Sequence, residues 1–82
     1  MQTSEEKFIG FILEYLIDDA KITDIVRTED ELGVLLTVTV PKESMGKVIG
    51  KSGKHVEAMK TLLKVISAKN GSRIALKITE KE

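Results

Sequence analysis

The sequence predicts an α+β fold, an α/β sandwich with elements in the order α-β-β-α-α-β and a three-stranded mixed sheet packed on three helices. Three patterns indicate this fold: apolar residues at helical spacing near the N-terminus, two strand patterns around a polar turn, and two helical segments joined by glycines before a last strand. Because 82 residues suffice for one domain and no linker interrupts them, we interpret residues 1–82 as a single domain.

The first helix is predicted over residues 4–18. Thr3, with Glu6 three positions later, fits a capping box that begins the helix. Aromatic and aliphatic residues then recur at helical spacing, and we expect them to pack in the core: Phe8, Phe11, Ile12, Tyr15 and Leu16. The helix is expected to end at Asp18-Asp19-Ala20.

A hairpin is predicted next. Residues 22–28 are rich in β-branched side chains, and the polar turn Glu29–Gly33 follows them. The next strand is the clearest in the chain, because apolar residues occupy every second position until Pro41 ends it. Its alternating apolar residues are Val34, Leu36, Val38 and Val40. We expect the two strands to pair antiparallel.

The second half predicts two helices and a third strand. A short helix over residues 43–49 precedes Gly50-Lys51-Ser52-Gly53, and a long helix runs from about 54 to 69 before the left-handed cap Asn70-Gly71. Alternating apolar residues over 74–78 predict the last strand. Because the two helices form the connection between the second and third strands, we expect these strands to lie parallel with a right-handed crossover.

Composition excludes several classes of function. The chain has no cysteine, which excludes a disulfide scaffold, a thiolate zinc site and a cysteine nucleophile. Its single histidine, His55, is too few for a histidine zinc site, and no apolar stretch approaches the ~20 residues of a membrane span. The carboxylate pairs Glu5-Glu6 and Asp18-Asp19 lack polar cleft partners for acid–base work. We expect a cytoplasmic protein without signal peptide, membrane insertion, catalytic residue, metal or cofactor.

Charge is distributed unevenly although the net charge is zero. Residues 1–32 hold nine acidic and three basic side chains, whereas residues 41–77 hold nine basic and two acidic ones. This division predicts an anionic partner for the second half. On charge alone, an equally good explanation is that the acidic and basic residues lie on solvated helix faces and fall in different halves of the chain by chance.

The glycine turn at residues 50–53 is the most informative motif. Glycines permit a tight turn and leave no Cβ in the way of a ligand backbone. The amides that begin the long helix are unpaired donors at its positive end, and Lys47, Lys51 and Lys54 surround the turn. These features favour a phosphodiester backbone as ligand. A P-loop is the competing interpretation of residues 46–52, but its spacing is one residue short and no later strand ends in an aspartate for magnesium.

The segment around this turn resembles a known family. The stretch Val40-Pro41-Lys42-Glu43-Ser44-Met45-Gly46-Lys47-Val48-Ile49-Gly50-Lys51-Ser52-Gly53 is similar to that of the small bacterial single-KH-domain proteins of the KhpA family. The Ile-Gly-x-x-Gly-x-x-aliphatic signature of KH domains continues to Val56, and the N-terminal α-β placement resembles the type II KH fold. Glu57 departs from the family, which usually has a basic residue there.

The resemblance implies a single-stranded RNA-binding protein, an RNA chaperone or post-transcriptional regulator. It also implies a larger KhpB-like (Jag or EloR) partner and a connection with cell-wall and cell-length control. The expected RNA-binding residues are Lys47, Ile49, Gly50, Lys51, Ser52, Gly53 and Lys54, with Ile49 as the floor of a base-binding groove. All three aromatic residues precede the basic region, which argues against base stacking.

The alternative function is a protein–protein assembly module with little RNA binding. Apolar residues of the long helix cover an arc of about 180°, whereas one core needs only ~100°. The excess is explained either by the first helix packing alongside or by a homodimer contact. For a homodimer we predict an interface at His55, Met59 and Leu62, which should weaken as falling pH protonates the paired imidazoles.

Overall fold

The computed structural model describes residues 3–17 and 24–81. Within them, the helices are α1 (Ser4–Leu16), α2 (Met45–Ile49) and α3 (Lys54–Asn70), and the strands are β1 (Asp24–Asp30), β2 (Gly33–Pro41) and β3 (Ile74–Lys81). Short 3-10 turns at Lys42–Ser44 and Lys51–Gly53 precede α2 and α3. The predicted α+β class and the α-β-β-α-α-β order are therefore confirmed.

The three strands form one mixed sheet in the order β1-β2-β3. β2 pairs antiparallel with β1 and parallel with β3, as the hairpin and the helical crossover predicted. The hairpin turn is shorter than predicted, since Glu29 and Asp30 still pair within β1. The Leu32 amide donates a hydrogen bond to the Asp30 carboxylate at 2.8 Å, which lets two residues complete the turn.

Thr3 begins α1 with the predicted capping box. The Glu6 amide donates to Thr3 Oγ1 at 3.4 Å, and the Thr3 amide donates to Glu6 Oε1 at 3.2 Å. Two of the first orphan amides are thereby satisfied. α1 is shorter than the predicted span 4–18, because Ile17 is already extended at φ −135° and ψ 145° and the helix ends at Leu16. The predicted end signal at residues 18–20 and the predicted strand start at residues 22–23 lie outside the described residues.

The core lies between one face of the sheet and the helices. The alternation predicted for β2 is confirmed, because from Val34 to Val40 every second side chain is buried while the residues between are half-buried or exposed. The helices contribute Ile9 and Leu13 from α1, Val48 from α2, and Met59 and Leu63 from α3. Burial of one stripe per helix against one sheet face is what a two-layer domain of this size requires.

Phe11 and Tyr15 do not join this core, so the prediction that they pack inside was wrong. They are 56% and 78% exposed, and their rings form an edge-on pair with centroids 5.1 Å apart. The buried stripe of α1 passes through Ile9 and Leu13 instead. Phe11 and Tyr15 each follow a buried residue by two positions, which places them about 200° around the helix. The other three predicted core residues are half-buried: Phe8, Ile12 and Leu16.

An ion pair connects α1 to β1. Arg27 Nε donates to Glu5 Oε1 at 2.8 Å, and its Nη2 lies 3.3 Å from the Glu29 carboxylate. Glu5 is buried, with 4% of its surface exposed. Burial opposes ionisation, but hydrogen bonds from Arg27, its own backbone amide and Thr3 outweigh it and lower the pKa of Glu5 from its ordinary value. The carboxylate is thereby held ionised inside the fold.

Candidate nucleic-acid interface

The turn between α2 and α3 has a backbone that depends on its glycines. Gly50 has φ 80° and ψ 169°, a combination that is essentially confined to glycine, and Gly53 has φ 74°. Between them Ser52 is left-handed at φ 57°, the one non-glycine residue with positive φ in residues 3–17 and 24–81. The Gly53 amide donates to the Gly50 carbonyl at 3.1 Å and closes the turn.

The imidazole of His55 lies directly against this turn. A Cβ at Gly50 would lie 2.6 Å from Cγ of the ring and 2.8 Å from its Nδ1, so no side chain fits there. The same Nδ1 is 2.7 Å from the carbonyl oxygen of Lys47 in α2. Because a carbonyl oxygen only accepts, Nδ1 is the donor in this contact. The ring therefore joins the start of α3 to the last turn of α2.

Exposed cations surround the turn. The side chains of Lys47, Lys51 and Lys54 are exposed, as is the Ser52 hydroxyl between them. In the part of the chain that the structure describes, the ion pairs belong to Arg27 on β1, and none involves a lysine of the turn. Three ammonium groups are thus available to one anionic ligand.

The start of α3 adds backbone donors to these cations. Its N-cap is Gly53, which has no side chain to accept from the first-turn amides. Such amides carry the positive end of the helix dipole. Lys60 and Lys64 are exposed farther along α3, while the exposed carboxylate of Glu57 reduces the positive charge of the first turn. A phosphate group matches this combination of amides and ammonium groups.

The predicted RNA-binding residues form one continuous segment, from the last turns of α2 through the turn to the first residue of α3. Ile49 ends α2 and is half-buried, next to the fully buried Val48. Its side chain is thus partly accessible beside the turn, and its role as the floor of a groove stays a prediction.

The three residues predicted for a homodimer contact do not share one exposed surface. Met59 is only 2% exposed and packs in the core one turn before Leu63. His55 lies against the glycine turn, whereas Leu62 is 45% exposed and its neighbour Val65 is 65% exposed. Met59 is therefore unavailable to a partner. A contact on α3 would use the exposed apolar residues beyond it.

A polar depression lies at the other end of α3. It has a volume of about 270 Å³ and is lined by Thr3, Ser4, Glu5, Arg27, Val34, Asn70, Ser72 and Ile74. None of the predicted site residues lines it. The sequence offered no signal for it, because the ion pair that forms one wall joins residues 22 positions apart without any motif.

The described residues contain neither a cluster of metal ligands nor a membrane-spanning helix. No group of three histidine, aspartate or glutamate side chains in residues 3–17 and 24–81 is placed to hold a metal ion. Among the helices of these same ranges, none is both long and apolar enough to cross a membrane.

The chain is similar to known proteins over nearly its whole length. A family model described as the KH domain of KhpA and KhpB matches residues 6–78. The chain belongs to the KhpA/KhpB KH-domain family. Membership of this family confirms the resemblance inferred from the glycine turn and agrees with the expectation that the chain is not an enzyme.

Relatives of the chain carry the same family name. The "RNA-binding protein KhpA" of Listeria monocytogenes is 39% identical over 77 residues, which cover 92% of this chain and 99% of that protein. The protein of that name from Treponema pallidum is 34% identical over 80 residues, 98% of this chain and 100% of its own. The one from Chlamydia caviae is 30% identical over 73 residues, 89% and 94% of the two chains. No solved structure matches this chain.

Proposed function

We propose that this protein binds single-stranded RNA through its sugar–phosphate backbone at the Gly50–Gly53 turn, in the cytoplasm. The observation that supports the proposal is the turn itself, in which exposed Lys47, Lys51 and Lys54 adjoin the start of α3, a helix without a side-chain cap at Gly53. The names of the relatives support RNA as the polyanion, since each is an RNA-binding protein.

Contacts to the backbone rather than to stacked bases suit this surface. A KH loop clamps about four nucleotides through their backbone. The aromatic side chains of the described residues, Phe8, Phe11 and Tyr15, all lie on α1 rather than on the segment from α2 to α3. Without an aromatic side chain in that segment, we expect only modest preference among bases.

Purification of the protein from cells at low salt tests the proposal. RNA should accompany the protein and be released as the salt concentration rises, because phosphate contacts weaken with salt. After nuclease treatment and removal of the nuclease, the protein should bind a labelled single-stranded RNA oligonucleotide more tightly than the matching duplex. A protein that carries no RNA and does not bind the oligonucleotide would contradict the proposal.

The finer role that we propose is that of an RNA chaperone or post-transcriptional regulator acting with a larger KhpB-like (Jag or EloR) KH protein, in cell-wall and cell-length control. Membership of a family that includes both KhpA and KhpB domains supports this role. Capture of the tagged protein should recover such a partner. Its absence from the captured proteins would remove this part of the proposal.

A protein–protein assembly module is the second candidate, and exposed apolar residues on α3 favour it. Leu62 and Val65 are 45% and 65% exposed on the helix predicted to carry a homodimer contact. If this stripe pairs two copies, Leu62→Asp should weaken self-association by at least tenfold, because it places a charge in an apolar contact. The exposed neighbour Thr61 offers a matched control, Thr61→Asp. Sedimentation equilibrium measures the self-association of the parent and of both variants. A parent that stays monomeric at high micromolar concentration would contradict the homodimer.

A further inference from the structure

The conformation of the glycine turn is unfavourable for an isolated backbone. Three of its four residues, Gly50, Ser52 and Gly53, have positive φ. Glycine loses more backbone freedom on ordering than other residues, and Ser52 sits in a region that non-glycine residues seldom occupy. A site that is ordered before its ligand arrives binds more tightly than one that must be ordered on binding. The turn therefore needs contacts that hold it in place.

Backbone hydrogen bonds stabilise the end of α2 and the turn itself. The Gly50 amide donates to the Gly46 carbonyl at 2.9 Å, within the last turn of α2. The Gly53 amide donates to the Gly50 carbonyl at 3.1 Å, within the turn itself. The second bond joins the C-cap of α2 to the N-cap of α3, but neither bond joins a residue within α2 to a residue within α3. The orientation of the lysines on the two sides depends on that connection.

The His55 side chain makes this connection. Its Nδ1 donates to the Lys47 carbonyl at 2.7 Å across the turn, although the residue is exposed. The ring also fills the space beside Gly50, where an added Cβ would lie 2.6 Å from Cγ. One imidazole thus restrains the turn from two directions, through a hydrogen bond to α2 and through packing against the Gly50 backbone.

We propose that His55 is a positioning residue of the RNA site, which holds the glycine turn in its binding conformation through Nδ1 without itself contacting RNA. The expected effect on RNA affinity rests on the proposed RNA-binding function, whereas the restraint of the turn by His55 rests on the geometry alone. It also changes the role expected for His55, from a residue of a dimer contact to a residue that serves the loop of its own chain.

Two amide substitutions separate positioning from direct contact. The side-chain nitrogen of asparagine can take the place of Nδ1, whereas that of glutamine can take the place of Nε2. His55→Asn therefore keeps the donor to the Lys47 carbonyl, and His55→Gln keeps only a donor at the outer position. His55→Leu removes both donors and serves as the common reference. Because His55 is exposed, all three variants should fold, and the loss of one hydrogen bond should lower the melting temperature of His55→Gln and His55→Leu by at most about 4–8 °C.

The expected order of affinities for a labelled single-stranded RNA follows from this assignment. His55→Asn should bind within about twofold of the parent, while His55→Gln and His55→Leu should bind about fivefold more weakly, the effect of one lost hydrogen bond. If His55→Gln binds like the parent and His55→Asn does not, the ring contacts RNA through Nε2 and the proposal is overturned. Any order in which His55→Asn is not the variant nearest to the parent also overturns it.

A measurement without RNA keeps the test independent of the proposed function. Nitrogen-15 shifts of the imidazole should show the hydrogen on Nδ1 in the free protein. Amide order parameters of Lys51 and Ser52 should fall in His55→Leu and remain parent-like in His55→Asn. Equal order in all variants overturns the positioning role. A parent that shows this order yet binds no RNA would overturn the proposed function alone.

Discussion

At the scale of single residues, Gly50 determines the conformation of the turn that we propose binds RNA. Its φ of 80° with ψ of 169° excludes other residues on steric grounds, and the His55 ring occupies the place of a Cβ. Both the backbone angles and the imidazole exclude a Cβ at this position. We therefore expect Gly50 to be required for the shape of the turn.

Gly50→Ala should abolish the native turn while Gly46→Ala should not. At Gly50 the methyl group meets the imidazole and a strained backbone, so we expect a loss of about 1–2 kcal/mol or more in the free energy of unfolding. The RNA affinity should fall at least tenfold. Gly46 is helical with nothing within 4 Å of its Cβ position, so alanine there should be neutral or slightly stabilising. Chemical denaturation and RNA binding of both variants check this, and equal behaviour would contradict the account of the turn.

The position of the glycine turn between two helices, with exposed lysines beside it, could be predicted from the sequence, but the contact that His55 makes with α2 could not. Spacing identifies Gly50 and Gly53 because the signature Ile-Gly-x-x-Gly is local, and it brings Lys51 with it. The bond from His55 to the Lys47 carbonyl depends on the angle between two helices, which no spacing encodes. For the same reason a helical wheel assigned Met59 to a contact surface, although the core covers it.

At the scale of elements, the Glu5–Arg27 pair holds α1 against β1. The carboxylate is buried and receives Arg27 Nε at 2.8 Å. Because the pKa of Glu5 is lower in the folded protein than its ordinary value of 4.5, the unfolded chain takes up the proton more readily. The pair therefore stabilises the fold fully above that value, and its contribution is lost as the pH falls below it.

Glu5→Gln should lower the free energy of unfolding near neutral pH by about 1–2 kcal/mol, through loss of a hydrogen bond between charged groups. The variant should also lose less stability than the parent between about pH 6 and about pH 3, since it has no carboxylate at this place to protonate. Glu14→Gln, at an exposed position of the same helix, is the control and should follow the parent. Parallel pH profiles for the parent and Glu5→Gln would contradict the assignment.

Strands and helices differ in how well their faces could be predicted. The two-residue period of β2 has only two faces, so the alternation of Val34 to Val40 identified the buried one. The apolar residues of α1 cover a wider arc than its contact with the sheet, and composition alone does not show which part is buried. Hydrophobicity and helical spacing predict Phe11 and Tyr15 in the core, whereas the smaller Ile9 and Leu13 occupy it.

At the scale of the whole molecule, the uneven charge predicts how RNA affinity depends on salt. If Lys47, Lys51 and Lys54 each neutralise one phosphate, log K should fall against log salt with a slope of about −2, from about −0.7 per contact on a single strand. Lys54→Ala should reduce the slope by about 0.7, whereas Lys69→Ala, at the far end of α3, should leave it unchanged. RNA titrations at several salt concentrations measure the slope. A slope near zero would contradict the neutralisation of phosphates by these lysines.

The topology of the molecule was predictable because each connection has few solutions. A short polar turn between β1 and β2 requires antiparallel pairing, and a pair of helices between β2 and β3 requires a parallel crossover. The polar depression at the far end of α3 was not predictable, since it depends on the approach of α1, β1 and the start of β3.

If the glycine turn contacts RNA as we propose, the double substitution Lys51→Asp with Ser52→Asp should remove binding without unfolding the protein. It places two carboxylates against phosphate and leaves both glycines intact, and aspartate tolerates the left-handed conformation of Ser52. The control Ser4→Asp with Lys7→Asp changes the net charge equally at exposed positions of α1. We expect the turn variant to lose RNA affinity at least tenfold with an unchanged melting temperature, while the control binds within about twofold of the parent. Equal affinities for the two variants would contradict this expectation.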